Sequence, residues 1–167
     1  EMNPRLVGSE MCIRDSNNLR NSKFQVIAFG TWDIKMWDSP RLATPSNRAL
    51  ATSWVKDLSA YHWYTRPSSS IKTAIDDMVT DQIILLSDGI PSDPFPYCDS
   101  RGKYYIIDEC LTEYNSEKRG STPSGKVRID TIAVSVYGDN NDANCNFQLS
   151  YRNWFGKIAS ANGGKCS

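Results

Sequence analysis

The stretch Asp81-Gln82-Ile83-Ile84-Leu85-Leu86-Ser87-Asp88-Gly89-Ile90-Pro91 decides the fold. Its unbroken apolar run, Ile83 to Leu86, ends abruptly in Ser-Asp-Gly and then a proline. Such a run predicts a strand buried on both faces that delivers a carboxylate to its C-terminal tip. In an open α/β sheet that tip is where ligands bind. Asp88 is therefore the first candidate functional residue, and Gly89 lets the backbone turn away directly behind it. Asp-Gly is also a common turn pair, so a purely structural turn is the competing reading.

Upstream of this strand, Ile71, Ala74, Ile75 and Met78 recur at i, i+3, i+4 and i+7, the stripe of an amphipathic helix, with Ser68-Ser69-Ser70 available to cap it. Tyr61 to Pro67 reads as a loop. Before it, Thr44-Pro45-Ser46 opens another helix, because hydroxyl caps flank a proline suited to the first turn. Leu50, Trp54, Val55 and Leu58 give that helix one apolar face to lay on a sheet. Phe24 to Gly30 reads as a strand, with Ile34 to Trp37 pairing back across the turn Gly30-Thr31-Trp32-Asp33.

Downstream, residues 92–125 read as a long insertion rich in Pro, Tyr, Ser and charge, with a short strand at Tyr104 to Ile107. Long loops inside a domain are usually functional or mobile. Val127 to Val136 is a second buried strand, closing at Tyr137-Gly138. A last helix runs from Phe147 to Ser160 with Leu149, Trp154, Ile158 and Ala159 as its apolar side, and Gly163-Gly164 stops it. This order of elements is that of an α/β fold, in which parallel strands are covered by helices. Residues 1–16, EMNPRLVGSEMCIRDS, show no period and no caps. VGSEMCIRDS resembles translated read-through of a sequencing adapter, so the segment is set aside as a non-native or disordered tail. Residues 17–167 then form a single domain.

The chain has 167 residues, enough for one ordinary core. Its 19 Lys and Arg balance 19 Asp and Glu, so no net field attracts nucleic acid or an anionic membrane. No apolar run reaches the length of a membrane span. The single histidine, His62, argues against a catalytic histidine network or a histidine-rich metal site. Cys98, Cys110, Cys145 and Cys166 form no CxxC pair. They are compatible with two disulfides in an exported protein, paired by proximity as Cys98/Cys110 and Cys145/Cys166 among three possible connectivities, or with free thiols in a reducing compartment. An extracellular, cell-surface or periplasmic setting is the favoured expectation.

Over roughly Lys23 to Gly164 the assembled pieces resemble a von Willebrand factor type A domain. The resemblance rests on FQVIAFG, on Ala43-Thr44-Pro45-Ser46-Asn47-Arg48-Ala49-Leu50-Ala51-Thr52-Ser53-Trp54, on the threonine loop Thr65-Arg66-Pro67 before a helix, on LLSDGIP, and on IDTIAVSVYG with the final helix and Gly-Gly. It implies a doubly wound, Rossmann-like, mostly parallel sheet with helices on both faces. It also implies a divalent cation, usually Mg²⁺, at a metal-ion-dependent adhesion site on the sheet's upper edge. Carried over residue by residue, Thr65 matches the family's threonine ligand and Asp88 its aspartate. Hydroxyls with one carboxylate suit a hard cation and leave it electrophilic towards a carboxylate brought by a protein partner. The family's Asp-x-Ser-x-Ser motif is absent; the nearest stretch, Asp57-Leu58-Ser59-Ala60-Tyr61, lacks the last serine. The expectation is a domain truncated at its N-terminal side, with an incomplete cation site and exposed strand edges that favour aggregation.

The function expected is a non-enzymatic protein-binding or adhesion module. The alternatives are a metal-independent scaffold that binds through residues 92–125, and a hydrolase or phosphoryl-transfer enzyme using Asp88. Against the enzyme stand the absence of G-x-S-x-G, a P-loop and Asp-x-Asp. His62, Trp63 and Tyr64 could rim the site but read better as a loop packed on the core. Asp93 and the run Asp139-Asn140-Asn141-Asp142 read as polar turns.

Overall fold

In the computed structural model the described residues are 22–58, 66–87, 107–120, 125–133 and 154–167. The chain divides into two compact units, Glu1–Trp63 and Tyr64–Ser167.

In the first unit, β1 (Lys23–Phe24) pairs antiparallel with β4 (Arg41–Leu42), and β2 (Ile27–Ala28) pairs antiparallel with β3 (Ile34–Lys35). The hairpin across Gly30 to Asp33 forms as its turn residues predict, but the strand Phe24 to Gly30 does not run unbroken. Gln25 interrupts it. Its side-chain carbonyl accepts from the Val26 N–H at 3.1 Å and from the Trp37 N–H at 3.3 Å, and its amide donates to the Trp37 carbonyl. A side chain thus takes over pairing that the backbone would otherwise make. Trp37 also meets Phe24 edge to face at 5.2 Å between centroids, and the Arg41 guanidinium lies 5.2 Å from its ring.

Helix α1 (Pro45–Asp57) starts where the sequence indicates, with the Thr44 hydroxyl accepting from the Asn47 N–H at 3.2 Å. Its expected apolar face is not the buried one. Leu50 is 51% and Leu58 38% exposed, and the fully buried position is Ala51.

The second unit comprises α2 (Ser68–Asp76), β5 (Gln82–Ser87), α3 (Ile107–Arg119), β6 (Arg128–Ala133) and α4 (Trp154–Ala161). β5 and β6 are parallel, in register from Gln82↔Arg128 to Ser87↔Ala133. Parallel neighbours need a crossover, and α3 lies on it. Residues 107–119, expected to lie within an insertion, form this helix instead. Cys110, Leu111 and Tyr114 supply the buried stripe. The stripe is hard to see because charged and polar residues fill all the other positions of IDECLTEYNSEKR but Ile107.

α4 packs on β6, α3 on α4, and α2 on α3. Their interface holds Ile71, Ile75, Leu85, Cys110, Leu111, Tyr114, Val127, Ile129, Ile158 and Ala159, all buried. Each fully buried Ile or Leu contributes about 1.5–3 kcal/mol of transfer free energy. On the other face of the β5–β6 pair, Gln82, Ile84 and Arg128 are exposed. Helix α2 ends at Asp76, so Met78, expected on its apolar stripe, falls beyond it and is 67% exposed.

Two polar devices fix this packing. Asn115 of α3 donates from Nδ2 to the Val127 carbonyl and to Asn162 Oδ1, each at 2.8 Å, and accepts from the Val127 N–H at 3.0 Å. Asn162 donates in turn to Thr112 Oγ1 at 3.1 Å and to the Ile158 carbonyl at 2.8 Å. The buried amides are thereby satisfied, and α3, α4 and the entry to β6 are joined. The second device is the C-terminal turn. Gly163 has φ +70°, and a methyl group on Gly164 would collide with the Ile129 carbonyl. Glycines here let the tail close on β6, where the Thr131 N–H donates to the Lys165 carbonyl and the Ser167 N–H to the Thr131 carbonyl, both at 2.9 Å.

Cys110 and Cys166 are both disulfide-bonded, which agrees with the oxidised reading of the cysteines. The described residues thus make a mixed α/β structure with four helices and one parallel strand pair.

Candidate functional site at the C-terminal end of the parallel pair

The direction of each element in the second unit fixes which end of the sheet gathers candidate residues. Arg119, the last residue of α3, donates to the Asp77 carbonyl at 3.0 Å and to the Thr80 carbonyl at 2.5 Å. Asp77 follows the end of α2 and Thr80 precedes β5, so the C-termini of both helices lie beside the start of the strand. Helices α2 and α3 therefore run back along the sheet, and their N-termini lie towards the end where β5 and β6 finish at Ser87 and Ala133. That end is the ligand edge of a parallel sheet.

Thr65 and Asp88, the two residues read from sequence as cation ligands, lie outside the described residues, as do His62, Trp63, Tyr64, Asp93 and residues 139–142. Their immediate neighbours are described. Ser87, which precedes Asp88 in the chain, is buried at the tip of β5. Arg66 and Pro67, which follow Thr65, lead directly into α2, and Pro67 is fully buried.

The serines after Pro67 do not cap the helix. Pro67 occupies the cap position with φ −76° and ψ −14° and makes no side-chain cap bond. Ser68 and Ser70 instead lie within the first turn, 0% and 7% exposed, and neither hydroxyl has a hydrogen-bond partner among the described residues. A buried hydroxyl without a partner costs about 1–3 kcal/mol, so two of them in one helical turn call for a physical reason. Ser68 shares its stripe with the buried Ile71 and Ile75, at i+3 and i+7. Sequence reasoning missed the pair because a serine run at a helix start signals capping; the proline in front of it was the contrary sign.

The opposite end of the unit carries ordinary ion pairing. Burial alone would raise the Asp76 carboxyl, but hydrogen bonds from Lys72 and Tyr114, with the nearby charge of Lys118, outweigh it and hold the group below its usual range. Asp130 behaves alike. Burial opposes ionisation, but hydrogen bonds from Arg128, the Lys165 N–H at 2.6 Å and Gln82 win, and the carboxyl is lowered. These acids have structural partners.

Among the described residues no three His, Cys, Asp or Glu side chains come together as a metal-holding group, and no helix is long and apolar enough to cross a membrane. No protein-family model matches the sequence, and no curated protein matches it.

Proposed function

We propose that the chain contributes to a divalent-cation-dependent protein-binding module of the von Willebrand factor type A kind. In this reading the β5–β6 pair belongs to a doubly wound sheet, Thr65 and Asp88 hold Mg²⁺ at its C-terminal edge, and a protein partner offers a carboxylate to the metal. The observation that carries the proposal is the pair of buried hydroxyls of Ser68 and Ser70 in the first turn of α2, which have no hydrogen-bond partner among the described residues. Hydroxyl oxygens are the donors a hard cation takes. The helix dipole opposes a cation at this terminus by about 0.3–1 kcal/mol, so the hydroxyls need a carboxylate beside them. Asp88, next in sequence to the buried Ser87, is the acid this reading assigns. When bound, the metal supplies a Lewis-acidic point that an incoming carboxylate completes.

With so few protein ligands, the expected dissociation constant for Mg²⁺ is on the order of 1 mM. At about tenfold that concentration, Mg²⁺ should stabilise the folded chain by about 1.4 kcal/mol. A chain of this size should then show a rise in Tm of about 3 °C or more in thermal denaturation. Asp88→Ala should remove the Mg²⁺-dependent rise while keeping the Tm measured in chelator. An equal rise in the variant would refute the assignment.

A further inference from the structure

The sequence of β5 is that of a strand from the middle of a sheet, yet the structure pairs it on one side. In the parallel register Gln82↔Arg128, the Arg128 N–H donates to the Asp81 carbonyl at 3.0 Å. Bonds in a parallel ladder go to the residues flanking the partner, so Asp81, Ile83 and Leu85 turn their backbone groups towards β6. Gln82, Ile84 and Leu86 turn theirs the other way. The complementary alternation holds on β6, where the backbone of Thr131 bonds away from β5, to Lys165 and Ser167. Among the described residues nothing pairs with the outer edge of β5, and Ile84 at its centre is 48% exposed.

This edge lacks the features that keep edges apart. Gln82, Ile84 and Leu86 carry no charge and no proline, and no bulge interrupts the register from Gln82 to Ser87. It is also self-complementary. A two-fold axis through Ile84 sets Ile84 opposite its own copy and Gln82 opposite Leu86. Every outward N–H and C=O on these three residues then finds a partner, and no like charges face each other. We propose that the outer edge of β5 is an interaction surface for a second copy of this chain. The two strands join antiparallel about Ile84, so that two parallel pairs merge into one continuous sheet. An isologous contact of this kind closes at two subunits. The interface uses backbone groups along the strand and not its tip, so its test in chelator does not draw on cation binding.

Sedimentation velocity of the full chain in chelator, from low micromolar to about 1 mM, tests it. A monomer–dimer equilibrium is expected. Ile84→Lys, which sets two like charges opposite each other across the axis, should weaken dimerisation by about tenfold or more. Gln82→Lys, at an exposed position off the axis, should weaken it less; it serves where Ile84→Lys changes the circular dichroism spectrum. Leu50→Lys, at an exposed apolar site of the first unit, should leave it unchanged. A chain that stays monomeric throughout would overturn the proposal and leave the edge to a strand of other origin. Growth beyond the dimer, or a dimer indifferent to both β5 variants, would overturn it as well.

Discussion

Asp130 joins three segments through one carboxylate, accepting from Arg128 on its own strand, Gln82 on β5 and the Lys165 N–H of the tail. Its carboxyl is lowered from the ordinary value of 3.8. A group lowered in the folded state stabilises above its unfolded value and loses that contribution as pH falls through the folded one. Stability should therefore drop as the medium is acidified below about pH 4. Asp130→Asn should be less stable at neutral pH and show a shallower acid dependence, read from urea denaturation at a series of pH values. Parallel curves for the two proteins would show that the carboxylate is not linked to folding. Gly164 offers a second test at this scale. Its substitution by Ala drives a methyl group into the Ile129 carbonyl, and the backbone shift needed should cost about 1–3 kcal/mol in the same assay.

Helix α3 is the element on which the second unit's packing turns. The bonds from Asn115 to Val127 and Asn162 are buried and span α3, α4 and the start of β6. Asn115→Leu keeps the volume but strands both polar groups of Val127, so it should cost about 2–4 kcal/mol in urea denaturation. A smaller loss would mean that water replaces the amide. This element was also the least legible in the sequence. Its apolar positions, Cys110, Leu111 and Tyr114, have helical spacing, but the residues between them have the polarity of a loop. β5, β6 and the start of α1 were legible, because the apolar run of β5, the β-branched residues of β6 and a threonine before a proline act locally. The strand from Phe24 was misread because the Gln25 side chain satisfies backbone groups of Trp37, a contact over twelve positions that no local pattern reveals. At the site, the strand tip pointing to Asp88 was visible in the apolar run. The buried hydroxyls of Ser68 and Ser70 were hidden behind a capping signal that Pro67 cancels.

At the scale of the whole molecule, the account rests on one edge of one sheet. The parallel pair ends at Ser87 and Ala133, the helices α2 and α3 begin towards that end, and two hydroxyls there are buried without partners among the described residues. The proposed metal-holding edge would give a reason for tolerating such a cost. The most direct measurement is electron paramagnetic resonance of Mn²⁺, a spectroscopic stand-in for Mg²⁺, titrated with the full chain. The account predicts one bound Mn²⁺ per chain at millimolar affinity, displaced by Mg²⁺ and lost in Asp88→Ala. Free Mn²⁺ signal undiminished by excess protein, or binding that survives in Asp88→Ala, would contradict it.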